Sequence, residues 1–323
     1  MKKYDIIGVG RSFTDVVANV DHAFLEKFNI PVDAGVQFSP AELRTIQSEL
    51  PTYELVAGGA IANTIAALSA MGGKGGYFGK VNNDTAGQAF LQDFALRGVD
   101  VCGMPFDTQV GLSPTCIILI TNDGHRSFAV GVGCADHLVL HELRDFDYTS
   151  THFFLTQAYM VFNDLSGPAI RAGMLAAKGK ARIVTNMHDL RIAENWPNYV
   201  EGIKFVTSYS DVIIANRAEY EETLKHVQLP AFPEQIIVIT KGKEGSEAIC
   251  GDKHVSVPAA DPASFTFVNS LGAGDAFAAG FLYSLARNGD LKKSLTYGTK
   301  AAAIVLEELS GRPTIGKQFP PLD

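Results

Sequence analysis

Leu271-Gly272-Ala273-Gly274-Asp275-Ala276 opens a stretch that reads as a helix: bulky apolar residues follow at Phe277, Phe281, Leu282 and Leu285, and Gly289 stands as its stop. Two glycines at a helix start let the backbone come close to a ligand and leave N–H groups unpaired. Those groups, with the positive end of the helix dipole, favour an anion. Asp275 falls in the first turn, beside the place where a phosphate would lie. A carboxylate repels an anion, so it needs a reason to be there. A base that takes the proton from a hydroxyl attacking the phosphate is such a reason. A tight turn with Asp275 as a first-turn helix stabiliser is the alternative that the local pattern leaves open.

Around this stretch, strands and helices alternate. Apolar runs at 4–10, 152–155, 181–185, 212–215 and 236–240 read as strands. Helices are expected at 60–71, 165–177, 218–226 and 276–287, with a last one over 291–309, either continuous or broken near Gly298. Alternation of this kind implies a mostly parallel sheet with helices on both faces, which binds ligands at the carboxyl ends of its strands. Ser39-Pro40 with Glu42 is a capping-box start. Asp123-Gly124, between two β-rich runs, predicts a hairpin. Together with 15–20, which extends the first strand, it predicts a small β flap. The flap reads as an insertion into one domain spanning 1–323, built from about 11–20 and 103–133.

The 323 residues are 46% hydrophobic and 19% charged, with a net charge of −8. That balance argues against a nucleic-acid partner held through a basic face. No apolar run reaches membrane-spanning length, so no membrane partner is expected. The start, Met1-Lys2-Lys3-Tyr4-Asp5, reads as a first strand and not as a signal peptide. Cys102, Cys116, Cys134 and Cys250 form no Cys-x-x-Cys pair, and a reduced cytoplasm fits best. A Walker A loop is absent, because Gly79-Lys80 is followed by Val81. The dinucleotide fingerprint fails at Phe13, and the protein-kinase motifs are missing.

Four motifs, in order, carry a resemblance across nearly the whole chain. Gly58-Gly59-Ala60-Ile61-Ala62-Asn63-Thr64 resembles the amino-terminal signature of the ribokinase (PfkB) family, and Asn269-Ser270-Leu271-Gly272-Ala273-Gly274-Asp275 its carboxyl-terminal signature. Asn216-Arg217-Ala218-Glu219 resembles the family's Asn-x-x-Glu, and Thr240-Lys241-Gly242-Lys243-Glu244-Gly245 its nucleotide loop. The adenosine-kinase-like and ribokinase-like branches are the most similar in tone.

The resemblance implies a three-layer α/β/α ribokinase-like domain with a mostly parallel central sheet and a small β lid. It implies ATP-dependent phosphorylation of a hydroxymethyl group on a sugar or nucleoside. Asp275 would be the base, and the backbone N–H groups of Gly272, Ala273 and Gly274 would hold the charge on the transferring phosphoryl group. By resemblance Asn216 and Glu219 organise Mg²⁺ through waters; read alone, the pair is a helix cap with its capping-box partner. Thr240, Gly242 and Gly245 bring the loop to the nucleotide, and Asn186 helps at the phosphate end, in a segment with Asp189 and Arg191 that resembles Asp-x-Asn-x-Arg. Asp15, Gly58, Gly59 and Asn63 belong to the acceptor site, with Arg126 reaching in from the lid.

Relatives carry Asp-Thr where this chain has Asn269-Ser270, beside a potassium (K⁺) site whose other side resembles Ser310-Gly311. The exchange removes a charge there, and K⁺ activation is expected to weaken. A nucleoside base would need an aromatic slot, for which Phe13, Phe38, Tyr159 and Phe162 are candidates. An exposed β edge on the lid invites a homodimer. A non-catalytic sensor of sugars, nucleosides or nucleotides that keeps the fold is the competing reading.

Overall fold

A computed structural model describes residues 2–103, 111–288 and 290–322. Gly289, read as a helix stop, and 104–110 of the expected lid lie outside the described residues. The strands are β1 (Tyr4–Val9), β2 (Thr14–Val20), β3 (Gly35–Gln37), β4 (Glu54–Ala57), β5 (Gly75–Phe78), β6 (Asp100–Val101), β7 (Thr115–Thr121), β8 (Arg126–Gly131), β9 (Thr151–Gln157), β10 (Arg182–Asn186), β11 (Val212–Asn216), β12 (Ile236–Thr240), β13 (Ser246–Cys250) and β14 (Lys253–Val257).

Nine of them form one sheet in the order β14-β13-β12-β11-β10-β9-β1-β5-β6, parallel except for the antiparallel pairs β12–β13 and β13–β14. Its central strands are apolar almost throughout, as a sheet covered on both faces requires. On one face lie helices Ala60–Ala70, Ala273–Asn288 and Leu291–Val305, around Ile61, Ile65, Leu68, Phe281 and Leu295. On the other lie Gly167–Ala177 and Tyr199–Tyr209, around Phe154, Ile170, Met174 and Ile203. The result is a three-layer α/β/α domain. Each large side chain buried in these layers contributes about 1.5–3 kcal/mol. Gly8 and Gly75 let helix Ala60–Ala70 sit close on the sheet; a Cβ on either would lie 2.7 Å from Ile61 or Ile65.

Helix Leu291–Val305 runs unbroken through Gly298, so the continuous reading holds. Gly298 is a contact residue: a Cβ there would lie 2.9 Å from the Phe277 carbonyl oxygen of the neighbouring helix. The glycine allows two helices to pack closely and does not end either.

The remaining strands form a second sheet, β3-β8-β7-β2-β4. The expected hairpin is β7–β8, turning at Gly124 with φ +90° and closed by Gly124 N–H to Thr121 O at 2.8 Å. This sheet also takes in β3 and β4, from outside the two segments expected to build it. One face is covered by helices His22–Lys27 and Pro40–Ser48, around Val16, Leu25, Leu43, Ile46, Ile117 and Leu119. The second of these starts with the expected capping box: Glu42 accepts the Ser39 N–H at 2.8 Å, and Ser39 Oγ accepts from the Glu42 N–H. Asp15 alternates to the opposite face of β2. No helix among the described residues is long and apolar enough to cross a membrane.

Candidate active site

Parallel register gathers the polar strand ends. Asn186 pairs with Gln157 at the ends of β10 and β9, and Asn216 with Thr240 at the ends of β11 and β12. Helix Ala273–Asn288 points its start at the same edge. A cleft of about 630 Å³ opens there, lined by Asn186, Asn216, Glu219, Thr240, Gly272, Gly274 and Asp275, with Gly124 and Arg126 of the small sheet at its rim.

Gly272 has φ +71°, and a Cβ on it would lie 2.0 Å from the Gly311 carbonyl oxygen. Only glycine fits there. Gly274 differs: nothing lies within 4 Å of the position a Cβ would take. The Ala273 N–H bonds Ser270 O at 3.3 Å and the Ala276 N–H bonds Gly272 O at 2.9 Å; the Gly272 and Gly274 N–H groups have no backbone partner among the described residues. They are the donors an anion would find at this helix start.

Asp275 is 6% exposed and on the cleft wall. Asn63 Nδ2 donates to its Oδ2 at 3.0 Å. Burial pushes the Asp275 carboxyl up to about 6; His188, the Asn63 hydrogen bond and Arg312 oppose the rise. Asp15, half-buried on β2, is pushed up to about 7 by burial, with Arg312 again opposing. Gly58 makes room for it, because a Cβ there would lie 2.7 Å from Asp15 Oδ2. Gly59, φ +93°, packs on the Arg11 carbonyl oxygen, at 2.3 Å from the position of a Cβ. Asp15, Gly58, Gly59 and Asn63 do not line the 630 Å³ cleft; they meet it through the Asn63–Asp275 bond.

The folded pKa values of Asp15 and Asp275 lie above the ordinary carboxylate value of 3.8, so the folded state holds the extra protons. Their contribution to stability is full below the unfolded pKa and is lost as pH rises through about 6 and 7. Asp275→Asn is therefore expected to raise the thermal midpoint by a few degrees at about pH 8 and leave it unchanged at about pH 4. A lowered midpoint at the higher pH would contradict the burial cost. Were Asp275 a catalytic base, turnover would run the other way, because a base must be ionised, and would fall as pH drops through the Asp275 value.

Glu219 is the capping-box partner of Asn216: its Oε2 accepts the Asn216 N–H at 2.9 Å, and Asn216 Oδ1 accepts the Glu219 N–H at 2.9 Å. Its Oε1 accepts the N–H of Asp189, a residue at φ +50°, at 2.9 Å. Both oxygens thus hold backbone donors, leaving free lone pairs for water but no bare carboxylate. No group of three His, Cys, Asp or Glu side chains among the described residues could cage a metal.

A second cavity, about 730 Å³, shares Thr240, Ser270 and Gly274 with the cleft. Gly242 and Gly245 border it, with apolar walls from Pro258, Phe265, Phe277 and Leu306. Of the aromatic candidates, Tyr159 and Phe162 belong to the large-domain core and Phe38 packs under the small sheet; Phe13 is half-buried. Sequence reading did not find His188 on the cleft wall or the apolar slot. The slot depends on β13 and β14, whose short polar alternation gives a weak strand signal.

Asn269 ties its own loop to the segment after helix Leu291–Val305. Its Nδ2 donates to Glu308 O at 2.8 Å and Leu309 O at 3.2 Å, and its Oδ1 accepts the Leu271 N–H at 2.7 Å.

An open sheet with an anion-receptive helix start and a buried carboxylate at its carboxyl edge defines a ribokinase-like fold. The comparisons agree. A probable sugar kinase of Rhizobium etli superposes with a TM-score of 0.82 at 23% identity, covering 97% of this chain and 96% of its own. The adenosine kinase of Sinorhizobium meliloti gives 0.82 at 25% identity, covering 97% of both. A 5-dehydro-2-deoxygluconokinase of Lacticaseibacillus casei is 28% identical over 330 residues, 96% of this chain and 91% of the relative. The model of the pfkB family of carbohydrate kinases matches residues 30–316. The chain belongs to that family, and it is a phosphotransferase with an alcohol group as acceptor.

Proposed function

We propose that the enzyme transfers the γ-phosphoryl group of ATP to the hydroxymethyl group of a small sugar or sugar acid. Asp275 takes the hydroxyl proton. The N–H groups of Gly272 and Gly274 hold the charge on the transferring group; that of Ala273, expected to join them, is taken by Ser270 O. The observation that carries this reading is the Asn63–Asp275 hydrogen bond, which joins the acceptor-side residues to a carboxylate on the cleft wall. The base of ATP fits the apolar cavity, and its phosphates run past Thr240 and Gly274 into the cleft. Asp15, Gly59 and Asn63 grip acceptor hydroxyls, Arg126 closes from the small sheet, and Asn186 borders the phosphates.

Mg²⁺, when bound, neutralises phosphate charge. Asn216 and Glu219 suit it through waters, since the Glu219 oxygens already hold backbone donors. The K⁺ loop does not fit its ion. The carbonyls of Glu308 and Leu309 receive the Asn269 amide, which supplies donor hydrogens where a cation would supply charge. Catalysis is therefore independent of K⁺.

A sugar acceptor is preferred because Tyr159, Phe162 and Phe38 are taken up by packing, which leaves Phe13 as the one aromatic candidate outside the core clusters, and because the curated relatives are 5-dehydro-2-deoxygluconokinases. A nucleoside acceptor is the second reading, favoured by the likeness to the Sinorhizobium meliloti adenosine kinase. The enzyme acts in the cytoplasm. The edge strands of the small sheet, β3 and β4, are where two copies would pair.

The test is ATP consumption against a panel of sugars, sugar acids including 5-dehydro-2-deoxygluconate, and nucleosides, each with K⁺ and with a large organic cation instead. Turnover with a sugar or sugar acid, equal in both salts, is expected. Turnover with nucleosides alone would move the acceptor to the second reading. An absolute K⁺ requirement would contradict the role given to Asn269, and binding without turnover on any acceptor would contradict the mechanism.

A further inference from the structure

Arg312 sits in the loop after helix Leu291–Val305 and is 2% exposed. Its guanidinium lies 5.3 Å from the Phe90 ring and 5.2 Å from that of Phe94. Nη1 pairs with Asp93, whose carboxylate also receives Arg97 Nε at 3.0 Å. Nη2 donates to the Gly58 carbonyl oxygen at 2.7 Å, and Nε donates to Asn63 Oδ1 at 2.9 Å. The loop is pinned on the other side as well, by Arg97 Nη1 to Pro313 O at 2.9 Å and by the close contact of Gly311 with Gly272.

An asparagine amide has an accepting end and a donating end, and rotation by half a turn exchanges them. With its oxygen toward Asp275, Asn63 would repel the carboxylate. A guanidinium has donors only, so Arg312 can bind only the oxygen of Asn63. That fixes Nδ2 toward Asp275. The same guanidinium holds the Gly58 carbonyl, and Gly58 leaves the space in which Asp15 stands.

We infer that Arg312 is a positioning residue: by fixing the orientation of the Asn63 amide and the Gly58 backbone, it aims the Asp275 carboxylate at the acceptor and seats the acceptor-side turn. The inference rests on the reading of Asp275 as base. Arg312 acts through Asn63 and touches neither Asp275 nor substrate. Its charge also bears on acidity. The groups facing Asp275 are Asn63 from helix Ala60–Ala70, His188 from the segment after β10, and Arg312 from the terminal loop. Arg312 is also the charge that opposes the rise at Asp15, and Asp93, Arg97 and Tyr77 stand around Arg312 itself.

The experiment uses Arg312→Met and Arg312→Lys in the full chain, with kcat and both KM values measured across pH and folding checked by thermal melting. A misplaced reacting group costs about 10²-fold. For Arg312→Met, kcat is expected to fall by about that factor with the KM for ATP within about twofold, and the acid limb of kcat/KM for the acceptor to move to higher pH. Arg312→Lys keeps the charge but not the fork: its acid limb stays in place while kcat remains about tenfold or more below the parent. A folded Arg312→Met with kcat within about twofold and an unmoved limb overturns the inference. If that variant does not fold, Arg312→Lys decides, and parental kcat there overturns it equally. Asp275→Ala, run beside them, separates the two readings. If it stays active, the assignment of the base fails. If it is inactive while the Arg312 variants keep parental kcat, only the positioning role fails.

Discussion

Replacing Asp275 with alanine is expected to lower kcat by about 10³-fold while the affinity for ATP holds or improves. The size follows from the role. A positioned base contributes about 10²–10⁴-fold, and near neutral pH a carboxyl with a pKa of about 6 is mostly ionised yet basic enough to receive a hydroxyl proton. The ATP term follows from charge. Asp275 stands on the wall of the cleft proposed to hold the phosphates, where its ionised form would repel them and its removal would relieve that repulsion. A damaged fold would lower ATP binding and turnover together, so the split between the two is the diagnostic. It is read from initial rates at saturating ATP and from ATP binding by calorimetry. Turnover within about tenfold of the parent would show that another group takes the proton.

The two glycines of the helix start are expected to fail in different ways. Gly274→Val should fold and still lose about 10²–10³-fold in kcat. Nothing lies within 4 Å of its would-be Cβ, so the branched side chain enters empty cleft, where the phosphoryl group would lie. Valine also suits a helix better than glycine, so the thermal midpoint should not drop. Gly272→Ala should damage the fold first. A Cβ there meets the Gly311 carbonyl oxygen at 2.0 Å in a backbone at φ +71°, and both the clash and the backbone strain are destabilising. Melting curves and rates on the two variants test the contrast. Parental activity in a folded Gly274→Val would argue against an anion site at this helix start.

Local chemistry made the frame legible. Apolar runs ending in polar residues marked β10, β11 and β12, and parallel pairing then brings Asn186, Asn216 and Thr240 to one edge. The helix start at Gly272–Asp275 was readable for the same reason, since its glycines and carboxylate are neighbours in the chain. What rests on contact between distant segments was not. Asn63 lies 212 residues from Asp275 and 249 from Arg312, and only family resemblance placed the first pair in one site. Nothing around Arg312 announces a buried guanidinium. Gly298 shows the opposite case: a lone glycine that suggested a break lies inside an unbroken helix, where it makes room for Phe277.

The aromatic candidates make a similar point. Tyr159 and Phe162 have the chemistry of a slot for an acceptor's base, but burial claimed them, while the apolar cavity on the other side of the cleft is walled by Pro258, Phe265, Phe277 and Leu306, which no sequence pattern marked. Composition records how many such side chains exist, while topology decides which of them reach a ligand.

The most direct measurement is a crystal structure with a non-hydrolysable ATP analogue and the acceptor found by the panel. The acceptor's primary hydroxyl is expected within about 3 Å of the Asp275 carboxylate, and the terminal phosphate against the N–H groups of Gly272 and Gly274. An acceptor hydroxyl directed to another side chain, or a phosphate held away from that helix start, would contradict the mechanism.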